Sequence, residues 1–249
     1  VLSLPVPVKP ETYGRTEEII GDWFAERGNR DKVILATKIL GPGDRYPTAR
    51  GGKNPDLDAA NVRTAVEQSL KRLKTDYIDL YQVHWPARPT NTFGKLNYEH
   101  DDSAAPVPIA ETLGALDEMV KEGKIRHVGV SNETPWGLLD WLRESERNDH
   151  PRIASIQNPY NLINRTFEVG TSEIAIREDV GLLAYGCLAS GMLTGKYLGG
   201  KRPEGARLTL WADYFPRYLS QTSFEATEKY VALAERHGLD PAVMAQAFC

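Results

Sequence analysis

An α/β fold on a parallel sheet, with the size of a single (β/α)8 TIM barrel, is predicted by three features of the sequence. Short apolar runs alternate with amphipathic segments of helical period, the pattern of parallel strands joined by right-handed crossovers. The runs are dense in Val, Ile and Leu, as strands covered on both faces are. The chain has 249 residues, about the length such a barrel needs.

The first run is Val33-Ile34-Leu35-Ala36-Thr37, a strand ending at Lys38. Residues 58–74 follow as a helix with Val62, Val66, Leu70 and Leu73 on one face and Asp58 as its N-cap. Tyr77 to His84 is the second strand. A helix over 109–122, carrying Leu113, Leu116 and Val120, stops at Gly123. Ile125 to Ser131 is the third strand. Thr134-Pro135 pairs a cap with a proline at the first helical position and opens a helix through Leu138 and Leu142. Ile153 to Gln157 is the fourth strand, followed by a helix around 167–178 and a fifth strand from Gly181 to Gly186. A helix near 222–237 and one from Pro241 complete the pattern. Five strands rather than eight are legible. Segments 41–57, 86–108 and 187–221 read as long loops after strand ends, where barrel enzymes carry their sites. There is no internal repeat and no low-complexity linker, so 1–249 reads as one domain.

Composition narrows the function classes. A net charge of −4 with no run of Lys or Arg gives no electrostatic stripe for nucleic acid. No stretch of about 18 apolar residues is present to span a membrane. The start, Val1-Leu2-Ser3-Leu4-Pro5, lacks the charged and apolar regions of a signal peptide. Two distant cysteines, Cys187 and Cys249, make no disulfide framework or zinc site, and a reducing cytoplasm is expected.

Chemistry-bearing side chains cluster at strand ends. Period-two alternation puts Ile34, Ala36 and Lys38 on one face, and Ile78, Leu80, Gln82 and His84 on one face. In a closed barrel one face of each strand points to the axis, so Lys38 and His84 would share a pocket at the rim. The alternative is a Lys38 that leaves for solvent and a His84 satisfied within the core. Ser131-Asn132, Gln157-Asn158 and Tyr185 recur at the next three ends. Hydroxyl and amide groups suit a carboxamide, and an aromatic suits stacking on a flat heterocycle. Alternatively, Ser131-Asn132 is a turn or cap and Tyr185 a core aromatic. Gly41-Pro42-Gly43 and Gly51-Gly52 form no GxGxxG or GxxxxGK[ST]. His100 with Asp101-Asp102 lacks metal-ligand spacing and reads as a solvated loop. Cys187 reads as a small buried thiol, and Lys196 as either a surface lysine or a cation for phosphate.

In these residues the chain resembles the aldo-keto reductase family, most of all its Tas-like branch. The carrying segments are Ala36-Thr37-Lys38, Asp79-Leu80-Tyr81-Gln82-Val83-His84-Trp85-Pro86, Gly123-Lys124-Ile125-Arg126 into Gly129-Val130-Ser131-Asn132, Gln157-Asn158-Pro159-Tyr160, and Ala184-Tyr185 through Leu193-Thr194-Gly195-Lys196-Tyr197. Pro5-Val6-Pro7 with Pro10-Glu11-Thr12 is also Tas-like. The resemblance implies a barrel of aldo-keto reductase type and NADPH-dependent reduction of a small aldehyde or ketone. In the family a tyrosine supplies the proton, a lysine lowers its pKa, an aspartate pairs with that lysine, and a histidine orients the carbonyl. Lys38 is then the lysine and His84 the histidine. Ser131, Asn132 and Gln157 would hold the nicotinamide carboxamide, with Tyr185 stacked on the ring. Cys187, Leu188, Ser190 and Lys196 complete the nucleotide-binding set. No metal is implied.

Two departures set further expectations. The family's Asp-Thr-Ala strand has no counterpart, and the Tas-like tyrosine position is Leu4. Tyr13-Gly14, followed by Glu17-Glu18 and Gly21, echoes the tyrosine context of other branches at too short a spacing. Two opening strands and a closing strand are expected to be missing, so that the sheet is incomplete, with open edges that favour pairing with another chain. Little carbonyl reduction is then expected. The competing functions are a catalytically silent nucleotide-binding or regulatory subunit, favoured by Leu4, and a Schiff-base lyase or aldolase using Lys38.

Overall fold

The computed structural model describes residues 9–43, 55–93 and 95–249 of the chain. Leu4, the Pro5-Val6-Pro7 segment, Gly51-Gly52 and most of the 41–57 loop lie outside the described residues. The described residues fall into two compact units.

The first unit comprises the described residues up to Ile156 together with Ile174–Gly181. It opens with α1 (Arg15–Arg27), a helix that the apolar pattern does not announce, because its buried residues are Glu17, Gly21 and Phe24. Gly21 sits against the next helix so closely that a Cβ would lie 2.2 Å from the Arg72 carbonyl oxygen. Strand β1 (Ala36–Ile39) follows. It begins later than the apolar run suggests, because the Leu35 N–H is taken by the Asp79 carboxylate at 2.9 Å, and Ile34 is exposed. It also runs one residue beyond Lys38.

Next comes α2 (Ala59–Leu73), where the Asp58 side chain accepts from the Asn61 N–H as the cap pattern predicts. Strand β2 (Ile78–Val83) stops just short of His84. Helix α3 (Ile109–Lys121) ends before Gly123, whose φ is 75°. Strand β3 (Ile125–Ser131) has the expected bounds. Helix α4 (Pro135–Asn148) is capped by Thr134, whose side chain accepts from Gly137 N–H. Strand β4 (Ile153–Gln157) also has the expected bounds.

The sheet has five strands in the order β1-β2-β3-β4-β5, where β5 is Gly181–Leu182. The β1–β2 and β2–β3 pairs are parallel, and the register sets Lys38 beside Gln82 and Gln82 beside Gly129. Thr37, Ile39, Tyr81, Val83, Val128 and Val130 are buried, as are Val66, Leu73, Leu113, Leu116, Leu138 and Trp141 on the helices. Each large side chain so buried contributes about 1.5–3 kcal/mol. Thr37 donates to Glu17 at 2.5 Å, and Arg72 donates to the same carboxylate at 2.7 Å, so this face of β1 is tied to α1 and α2. Alternation then turns Lys38 and Gln82 to the opposite face.

The second unit comprises Gln157–Glu173 and Leu182–Cys249. Three expectations need correction here. The helix around 167–178 is a 3-10 turn, Thr166–Glu168, and then α5 (Thr171–Arg177), divided at Gly170 with φ 95°. The strand expected over Gly181 to Gly186 is regular only at Gly181–Leu182. Beyond that, a single bridge joins Pro159 and Tyr185, and Pro159 has no N–H with which to extend a ladder.

The segment 187–221 is likewise no open loop. Its 3-10 turns and α6 (Arg207–Leu210) bury Ala189, Met192, Leu193, Tyr197, Leu208 and Tyr218 with Ala245. Helices α7 (Gln221–Arg236) and α8 (Pro241–Ala247) follow, the latter capped by Asp240.

Candidate active site

Lys38 and His84 sit on neighbouring strands at the ends where loops depart. Lys38 is 8% exposed, and burial pushes its ammonium down to about 8. The His84 backbone N–H donates to the Ile39 carbonyl at 2.9 Å, which fixes the residue beside the end of β1. Burial, and then the charge of Lys38, push its ring down to about 3. At neutral pH His84 is therefore an uncharged ring beside an ammonium. Its Nδ1 is buried and has no hydrogen-bond partner among the described residues, and the same holds for Gln82 Nε2. The imidazole packs against Trp85 at 4.8 Å between centroids, and Trp85 is held by a bond from Nε1 to the Pro42 carbonyl at 3.0 Å.

Ser131 and Asn132 close on the same place from β3. Asn132 has a left-handed φ of 54°, uncommon for a residue with a side chain and typical of functional turns. Its Nδ2 donates to the His84 carbonyl at 2.8 Å and to Ser131 Oγ at 3.2 Å. The strand-end alignment thus brings Lys38, His84, Ser131 and Asn132 together in the first unit. Tyr13, whose context echoes that of the tyrosine in other branches, packs under the Arg72 guanidinium at 5.5 Å.

The other predicted residues belong to the second unit. Gln157 is half-buried at the end of β4. Burial raises the pKa of the Tyr185 phenol, with Arg217 opposing, so Tyr185 is a neutral ring and a poor acid at pH 7. Arg217 Nη1 donates to its hydroxyl at 3.4 Å. Leu188 leads into Ala189, Ser190 and Gly191, with φ of 47°, 59° and 95° in succession. Lys196 folds back on this turn: a Cβ at Gly191 would come within 3.1 Å of its Nζ. A left-handed turn with a cation against it is the kind of backbone concavity that takes a phosphate. The buried, partnerless His84 Nδ1 and Gln82 Nε2 are polar groups that a carbonyl or carboxamide could engage. The residues present fit a nicotinamide nucleotide.

Sequence reasoning missed several residues. Arg217 lies in the irregular part of the second unit, and no local pattern ties it to Tyr185. Arg88 and Glu133 form a two-pronged ion pair at 3.0 and 2.6 Å, and Glu133 also accepts from Trp141 Nε1 at 3.0 Å. They border a cavity of about 270 Å³ lined by Pro86, Val107, Ile109, Trp136 and Trp141. Lys38, His84, Ser131 and Asn132 are not among its lining residues. The His100–Asp102 pair is solvent-exposed at 3.0 Å, and no cluster of metal-ligating residues occurs among the described residues. No helix among them is long and apolar enough to cross a membrane.

Residues 10–249 match the model of the Aldo/keto reductase family. "Protein tas" of Escherichia coli (strain K12) is 53% identical over 246 residues, 98% of this chain and 70% of that protein. An "Aldo-keto reductase" of Babesia bovis is 38% identical over 214 residues, 82% of this chain and 75% of its own length. Among solved structures, the glycerol dehydrogenase AKR11B4 from Gluconobacter oxydans matches with a TM-score of 0.65 and 31% identity, over 93% of this chain and 63% of that one. The five-stranded parallel sheet and these likenesses agree with the predicted barrel class. The chain belongs to the aldo/keto reductase family, in its Tas-like branch.

Proposed function

We propose that the protein reduces aldehydes or ketones with NADPH. The observation that carries this reading is the buried ammonium of Lys38 beside the uncharged ring of His84 at two adjacent strand ends. When bound, the reduced nicotinamide supplies a hydride to the carbonyl carbon. His84, neutral at working pH, orients the carbonyl oxygen through a ring N–H. Leu4 stands where the family's tyrosine would supply the proton, so that proton comes from Lys38 Nζ, an acid with a pKa near the operating pH. By resemblance, Ser131, Asn132 and Gln157 take the carboxamide and Tyr185 the ring. Cys187, Leu188 and Ser190, with Lys196, take the phosphate-bearing part. NADP over NAD, a small carbonyl substrate and a cytoplasmic location follow from the resemblance.

A second reading, a nucleotide-binding subunit without turnover, is favoured by Leu4. One experiment separates the two. NADPH is titrated by its fluorescence, and oxidation of the bound nucleotide is then followed with an electron-poor aldehyde. The reductase reading expects binding and slow turnover, with turnover reduced about a hundredfold in Lys38→Met and binding retained. Binding with no turnover in the parent chain would favour the silent subunit. Trapping of the carbonyl on Lys38 by borohydride would point instead to Schiff-base chemistry.

A further inference from the structure

The chain has two cysteines, and the second unit brings them to one place. Cys187 follows Tyr185, whose N–H donates to the Asn158 carbonyl at 3.1 Å and whose carbonyl accepts from Tyr160 N–H at 3.2 Å. Cys249 reaches the same short strand segment after α8, its thiol donating to the Tyr160 carbonyl at 3.3 Å. Phe248 stacks on the Tyr160 ring at 5.3 Å between centroids, which pins the approach of Cys249. The Cys187 thiol donates to the Ala184 carbonyl at 3.6 Å, and it lies near enough to that of Cys249 to help hold it protonated. Both are free thiols, Cys187 half-buried and Cys249 exposed, so a small oxidant can reach them.

We propose that Cys187 and Cys249 are a redox modification site, a dithiol that a hydroperoxide closes to a disulfide. In the first step a lone pair of the Cys187 sulfur attacks one peroxide oxygen. An S–O bond forms and the O–O bond breaks, and the leaving oxygen takes the thiol proton as water or an alcohol. In the second step the Cys249 sulfur attacks the sulfenic sulfur of Cys187. The S–S bond forms, the S–O bond breaks, and hydroxide leaves with the Cys249 proton as water. Two sulfurs are oxidised by one electron each and the peroxide is reduced by two. The order follows from the local chemistry. Cys249 resolves because its proton is held by the Tyr160 and Ala245 carbonyls at 3.3 and 3.6 Å, and burial with the neighbouring Cys187 pushes the thiol up to about 11; Cys187 reacts first.

Closure would tie the segment after Tyr185 to the end of α8. An effect on nucleotide binding rests on the function proposed above; the disulfide itself does not. The test is intact mass after brief treatment of the purified protein with stoichiometric hydrogen peroxide and alkylation under acid quench. The expected result is a monomer lighter by about 2 Da with no alkylatable thiol, restored by dithiothreitol. Cys249→Ser is expected to stop at a gain of about 16 Da on Cys187, and Cys187→Ser to leave Cys249 alkylatable at the same dose. Disulfide-linked dimers as the main product, or two alkylatable thiols remaining in the parent protein, would overturn the proposal, and neither result depends on whether NADPH binds.

Discussion

The two units are held together in different ways. The first is a sheet with helices against it, and its polar residues are organised around carboxylates buried among cations. Glu17 is gripped by Thr37 and Arg72, Glu133 by Arg88 and Trp141, and Asp79 by Arg30, Arg126 and the Leu35 N–H. Burial works against the ionisation of Asp79, yet these donors hold its carboxyl below the usual range. Tyr77 lies between the two guanidinium groups, 3.9 Å from Arg30 and 4.1 Å from Arg126. In the second unit a compact cluster of Met192, Leu193, Tyr197, Leu208 and Tyr218 does this work, with most of its backbone in turns. Among its buried polar residues, Asn161 donates to the Gly186 carbonyl at 2.9 Å and to the Tyr218 hydroxyl at 3.0 Å. Regular elements leave strand ends at fixed spacing for reactive side chains. The irregular unit supplies left-handed turns that a helix or strand cannot.

This contrast sets the expected sensitivities. Glu133→Ala strands the largely buried Arg88 guanidinium, and a loss of about 3–5 kcal/mol is expected in urea denaturation, with Glu133→Gln costing less. A loss below 1 kcal/mol would mean that the carboxylate does not organise its surroundings. In the second unit, Met192→Ala removes a side chain that is 1% exposed, and a loss of about 2–5 kcal/mol is expected by the same measurement. A near-neutral result there would show the cluster to be loosely packed and would remove the likeness to a true core. Thr134→Ala, which deletes the cap of α4, is expected to cost about 1 kcal/mol, the smallest effect of the three.

The same contrast explains what could be read in advance. The bounds of β3 and β4 and the caps at Asp58 and Thr134 are local signals, and the structure keeps them. Helix α1 escapes notice because two of its three buried positions are a glutamate and a glycine, chosen for a partner on α2. The 187–221 core escapes because its apolar residues have no helical or strand period and meet only through the tertiary fold. Lys38 and His84 were legible because they follow apolar runs directly. The bond from Arg217 to Tyr185 and the meeting of Cys187 with Cys249 join residues far apart in sequence, which periodicity cannot report.

The pH dependence of kcat/KM for NADPH-dependent aldehyde reduction tests the account most directly, because that ratio reports the ionisation of the free enzyme. Lys38 is expected to act in its ammonium form. The rate should therefore be level below pH 8 and fall as pH rises through about 8, and Lys38→Met should lower the rate about a hundredfold and remove the inflection while NADPH still binds. A profile flat across pH 8, or turnover indifferent to the loss of Lys38, would contradict the assignment.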